Sequence, residues 1–282
     1  MKRVLTIARL TILEASRRKL LLALGILTLA VIVLSSWGFS RLPTMRDVTP
    51  AEVRVAASQL TILMAFMFSG VLALGSTLVA APSVASDIES GIALAILPRP
   101  IRRSELLMGK WLGLAILVAL YAAGSGLLEM LGIWIGTQYL PPNPIAALVF
   151  VGAEGIVLMT LALLLSTRLA PMTGGVIALV LFFVAWVGGI ALAIGNAFDN
   201  GTIKGIGTAS RYLIPTDGLW HGAIFYLEPT DFLNAARAAG RARAGNPFFA
   251  DQPPPAIYVG WVIAWLASLL ALANVSFAKR DL

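Results

Sequence analysis

The stretch IAALVFVGAEGIVLMTLALLLS, residues 145–166, decides the fold. At ~1.5 Å rise per residue it is long enough to cross the ~30 Å hydrocarbon core of a bilayer. One ionisable group, Glu154, interrupts it, and no polar stripe recurs at helical spacing. A helix on the surface of a soluble protein needs such a stripe to face water. In lipid, each backbone N–H and C=O must be bonded within its own segment, so the stretch is expected to be a transmembrane helix. Working outward, residues 20–37, 59–81, 111–136, 173–197 and 256–277 read the same way.

Composition agrees. Of 282 residues, 59% are hydrophobic and 12% charged, whereas a soluble domain carries about 25% charged residues. Mean hydropathy is +0.87. Such a chain cannot cover a surface that faces water, which excludes an ordinary soluble enzyme; a disordered tail is excluded too, since it needs low hydrophobicity. The 21 Lys and Arg against 14 Asp and Glu give a net charge of +7. Of the 21 basic residues, 13 fall in segments 1–19, 83–110, 167–172 and 277–282, which a six-span chain places on one side. By the positive-inside rule both termini are expected in the cytoplasm, with the protein multi-pass in the plasma (inner) membrane. The surplus charge then reads as orientation rather than as a nucleic-acid surface. There is no cysteine and a single histidine, His221, so thiolate chemistry is excluded and a His-rich metal centre has no ligands.

The expected fold is an all-α polytopic membrane protein of six transmembrane helices. An amphipathic helix over 1–19 precedes them and a short cytoplasmic tail, 278–282, follows. In the first segment Val4, Ile7, Ala8, Thr11, Ile12 and Ala15 share one helical face, and Lys2, Arg3, Arg9, Arg17, Arg18 and Lys19 supply the rest. Such a helix is expected to lie in the headgroup plane. Residues 38–58 read as a loop, with a short helix after Pro50. Residues 198–255 read as a large outer loop, with the aromatic stretch 220–226 resting at the membrane surface and a basic helix over 231–243.

The cytoplasmic loop 83–110 holds the densest pattern. Pro98 and Pro100 flank Arg99 and keep the chain extended, Arg102 and Arg103 follow, and Ser104 is placed to cap the third span. The series Glu89-x-Gly91, Arg99-Pro100-Ile101-x-Arg103 and Gly109-Lys110-x-x-Gly113 resembles the loop after the second helix of ABC-2-type ABC transporter permeases. Ile92 stands where that family more often has Thr. The basic amino-terminal helix, Pro215-Thr216-Asp217-x-Leu219-Trp220 and the Arg280-Asp281-Leu282 ending extend the resemblance over essentially the whole chain. The resemblance implies a permease subunit, an exporter in function, that pairs with a second permease copy (homo- or heterodimer) and two copies of a separate ABC ATP-binding subunit. It also implies that Glu89, Gly91, Arg99, Pro100, Arg102, Arg103, Glu105 and Lys110 belong to the element that couples to the ATPase. The sequence carries no G-x-x-x-x-G-K-[ST] loop, so no cofactor is expected on this chain; ATP and Mg would sit on the partner.

Two carboxylates fall inside spans. Glu129 and Glu154 lie about equally far from the 141–142 turn, so an antiparallel hairpin puts them at similar depth, where both can line one cavity. They form the candidate intramembrane polar site. Gly132-x-x-x-Gly136 in the third span, and Gly188, Gly189 and Ala193 in the fifth, permit close helix contact. Two other functions fit these residues: a lipid-modifying membrane enzyme with Glu129 and Glu154 as acid and base, and a non-transporting ABC-like subunit that signals to an outer accessory protein through 198–255. Membrane lipid is a partner in every reading.

Overall fold

The computed structural model describes residues 2–44, 49–89, 102–230, 232–234 and 246–280. In chain order the helices are α1 (Lys2–Ser16), α2 (Lys19–Arg41), α3 (Pro50–Ala80), α4 (Pro82–Glu89), α5 (Arg103–Thr137), α6 (Pro144–Ser166), α7 (Pro171–Ala197), α8 (Gly201–Leu213), α9 (Thr216–Leu227) and α10 (Ala256–Ala278). No strand occurs among the described residues. Among the described residues six segments are long and apolar enough to cross a membrane: α2, α3 continued through α4, α5, α6, α7 and α10.

Local chemistry starts and stops these helices. Pro50, Pro144 and Pro171 stand at first helical positions, where a missing N–H costs nothing. Thr49 and Glu52 form a capping box at the start of α3. The expected 38–58 loop is therefore mostly helix: the turn after Pro50 continues into the second span. Its Val53 and Ala57 are buried, Ala57 in a cluster with Phe39, Ile133 and Tyr139. Likewise α5 begins at Arg103 and not at 111. Its N-cap is Arg102, whose backbone N–H donates to Glu105 Oε2 at 2.9 Å, rather than Ser104.

The helix α6 is the axis of the bundle. Of its most apolar window 61% is buried, against 11% in α2 and 17% in α10, which are peripheral. It packs on α3, α5, α7, α9 and α10. In α5 the glycines 132 and 136 receive Ser36, Phe39 and Ser40 of α2. Both termini lie at one end of the bundle, since α1 packs on the first turns of α5 and Arg103 bonds the last carbonyls of α10. We call this the terminal end and its opposite the far end.

The stretch 201–227 departs from the expected surface loop. At the far end the chain turns through Asp199, in the left-handed region (φ 53°), and Asn200 caps α8 by accepting from Ile203 N at 3.1 Å. From there α8 descends along α7 on a seam of glycines: Gly195 faces the Lys204 backbone, and Gly207 the Leu192 backbone. The chain reverses at 214–215 and α9 climbs back. Asn143 N donates to Tyr226 O at 3.2 Å, and Tyr139 Oη to Leu227 O at 3.0 Å. The hairpin meets Gly188 through Ser210 and Gly189 through Asp217, and Gly189 lies eight residues below the end of α7, or ~12 Å into the bundle. Trp220, Ala223, Ile224 and Leu227 belong to the main core. The aromatic stretch therefore does not rest on a membrane surface; the proposed basic helix over 231–243 lies outside the described residues apart from 232–234.

Candidate functional site

At the terminal end, α1 packs part of its apolar stripe on α5. Ala8, Thr11 and Ala15 are buried. Gly109 and Gly113 of α5 make this docking possible: a Cβ on Gly113 would lie 2.6 Å from Ala8 O, and one on Gly109 2.6 Å from Ile7 Cβ. The face left exposed carries Leu5, Leu10 and Leu13 among Lys2, Arg9 and Arg17. Arg3 Nη1 stands 3.6 Å from Glu105 Oε2 and ties α1 to the start of α5.

The residues assigned to ATPase coupling divide by geometry. Lys110 is 5% exposed. Its ammonium turns inward to the Asp87 carboxylate and the Ser83 carbonyl, and so pins α4 to α5. Arg103 Nη1 donates to the carbonyls of Phe277 (3.2 Å), Ala278 (2.9 Å) and Arg280 (2.7 Å), capping α10. The last carbonyls of a helix lack intrahelical donors, and a cation there also meets the negative end of the helix dipole. Arg280 Nη1 in turn donates to Thr167 O at 2.6 Å, and Arg168 Nε to Ser276 Oγ at 3.0 Å. Arg102 is exposed, and Glu89 ends α4. Gly91, Arg99 and Pro100 lie outside the described residues. Arginines placed by the orientation rule thus stitch α5, α6 and α10 together.

Inside the bundle, Glu129 and Glu154 do not share a cavity. Glu129 Oε1 accepts from Ser35 of α2 at 2.8 Å and lines a small cavity with Thr61, Phe68 and Leu227. Glu154, 2% exposed, accepts from Ser69 of α3 at 2.8 Å and lines another with Thr216, Asp217 and Trp220. α3 lines both cavities from different faces, Thr61 and Phe68 toward Glu129 and Phe66 and Ser69 toward Glu154. An acid–base pair built from Glu129 and Glu154 is not what the fold assembles.

A second ionisable group joins Glu154 from the hairpin. Asp217, in the first turn of α9, is 4% exposed. Arg211 grips its Oδ2 through Nε (2.8 Å) and Nη2 (2.7 Å), while His221 Nδ1 lies 3.4 Å from Oδ1. Burial pushes the Asp217 carboxyl up, but His221 and Arg211 together outweigh it and hold the group below its ordinary range. Arg211 and His221 also line a cavity of ≈ 700 Å³ at the far end, between α7, α8, α9, α10 and residues 246–255. Among the described residues no group of three or more His, Asp or Glu is placed to hold a metal ion.

The family described as ABC-2 family transporter protein matches residues 5–282. The chain belongs to that family. A curated relative, named as the probable ABC transporter permease protein NosY of Pseudomonas aeruginosa, is 29% identical over 299 aligned residues, covering 99% of each chain. This ABC-2 protein is thus a multi-pass transmembrane permease subunit of an ABC transporter, of a kind that works with an ATP-binding subunit. The sequence places Asp217 and Glu228 in a polar outer loop, whereas the fold buries both and sets the partly buried Arg211 and His221 beside Asp217. The available signals were Asp217 and His221 at i, i+4 spacing behind a Pro-Thr helix start, in a segment too polar to read as a span.

Proposed function

We propose that this permease works as a dimer with two ATP-binding subunits on its terminal end, which faces the cytoplasm of a cell with a plasma (inner) membrane, and that it exports substrate. The observation that carries the reading is the pinning of α4. This short helix follows α3 after a break at Ala81, and the buried Lys110–Asp87 pair welds it to α5. It also packs on α6 and α7. A load applied to segment 83–105 therefore reaches four spans at once, which is what a lever that biases a two-state bundle requires. ATP and Mg belong to the partner in this scheme. Since 201–227 is used inside the bundle, an accessory protein on the outer side would have to meet the remainder of 198–255.

The test uses charge reversal at the exposed Arg102, together with Arg99 of the same basic segment. Arg99→Glu with Arg102→Glu is expected to abolish co-purification of the ATP-binding subunit while the permease stays folded. Recovery of the intact complex from the double variant would overturn the docking role.

A further inference from the structure

The cavity beside Glu154 holds an unsolved hydrogen-bond problem. Thr216 Oγ1 and Trp220 Nε1 are both buried and find no hydrogen-bond partner among the described residues. Thr216 is 1% exposed and Trp220 2%. Both line the same small cavity as Ser69, Glu154 and Asp217, with ≈ 10 Å³ open to a water-sized body. That is about the room one water needs. A buried donor left unmatched is costly, and two in one cavity point to an occupant.

The donors select its chemistry. An indole N–H only donates, so the occupant must accept. A bare cation fails that requirement, and an anion would face the carboxyls of Glu154 and Asp217. Water meets every demand: it accepts from Trp220 and Thr216 and donates to Glu154. Asp217 forms the wall between this cavity and the ≈ 700 Å³ cavity at the far end, because Arg211 and His221, which hold its carboxylate, line the larger space. The charged and titratable groups around the pocket are Glu154 from α6, Asp217 and His221 from α9, Arg211 from α8 and Tyr258 from α10, whose hydroxyl is spent on the carbonyls of Arg211 and Pro215. From α3 and α7 come Ser69, Phe66, Phe182 and Trp186, none of them charged. Arg211 compensates Asp217; Glu154 is met by the neutral Ser69 hydroxyl.

We propose that this pocket is a proton-binding site in the interior of the bundle: one water bridges the Glu154 carboxyl to the Thr216 hydroxyl and the Trp220 indole, and protons enter from the far-end cavity across Asp217. The step is a single proton transfer. A proton from hydronium in the outer cavity passes Asp217, which stays ionised between Arg211 and His221, reaches the bridging water and neutralises the Glu154 carboxylate, leaving water behind and involving no redox change. The site stands independently of transport direction and of ATPase docking.

Two measurements on the full chain test it. Thr216→Val removes the hydroxyl while nearly keeping shape. If water occupies the pocket, the variant loses one of its hydrogen bonds and melts at a lower temperature than the parent. If the pocket is dry, the variant removes an unmatched polar group, and an unchanged or raised melting temperature overturns the proposal. In lipid vesicles, an infrared carboxyl band that is absent from Glu154→Gln is expected to respond to the pH of the medium bathing the far end, and to respond more slowly in Asp217→Asn. A Glu154 band indifferent to that pH would overturn proton entry, and it can be read in the parent protein even if Thr216→Val fails to fold.

Discussion

At the scale of single residues, the interior of this permease is governed by close backbone approach and by a few buried charges. Gly207 shows the first. A Cβ there would lie 2.5 Å from Leu192 N and 2.6 Å from Leu192 Cα, backbone atoms that cannot swing aside. Gly207→Ala is expected to cost about 1–3 kcal/mol through overpacking and to lower the melting temperature. Gly124→Ala, with nothing within 4 Å of the added carbon, is the matched control and should leave it unchanged or slightly raised. Lys110 shows the second. Lys110→Met strands the largely buried Asp87, and breaking such a pair costs about 3–5 kcal/mol. Adding Asp87→Leu should restore most of that loss. A double-mutant cycle on thermal stability checks it; additive losses would show that the pair is not coupled.

At the scale of elements, the lesson comes from α1 and from the α8–α9 hairpin. The apolar face of α1 was legible in the sequence, because residues at three- and four-residue steps must share a side. What it covers was not legible: periodicity marks a face and leaves its partner open. Gly109 and Gly113 supply that partner on α5. Gly113→Leu is expected to lift α1 from the bundle and expose its peptide bonds. Limited proteolysis should then cleave within 2–16 far faster than in the parent, and equal protection would refute the docking. The hairpin was illegible for a different reason. Its helices carry Lys204, Arg211, Asp217 and His221 among short apolar runs, too polar for a span. They insert because the glycine seam of α7 admits them and because Arg211 and His221 meet the charge of Asp217 before it is buried.

At the scale of the whole molecule, the six spans and the common end of both termini follow from hydropathy and parity alone. Sidedness adds the distribution of basic residues, and it yields a direct check. The chain has no cysteine, so single introduced thiols are unambiguous reporters. A membrane-impermeant label applied from outside intact cells should reach a cysteine at the exposed Gln252 and miss one at the exposed Ser104; the reverse pattern would invert the topology.

Hydropathy and segment length alone establish a helical membrane protein. Apolar stretches of bilayer length admit no other backbone arrangement, since lipid offers no partners to an open N–H or C=O. The sequence also marked Glu154 as exceptional, because a carboxyl in a span is conspicuous wherever it points. Only the tertiary structure decided that Glu154 faces Asp217 and not Glu129, that Lys110 and Arg103 are internal fasteners, and that residues 201–227 are core. Those outcomes depend on which helix faces meet. Facing is set by packing between segments distant in sequence, through glycines and paired charges whose partners no local pattern names.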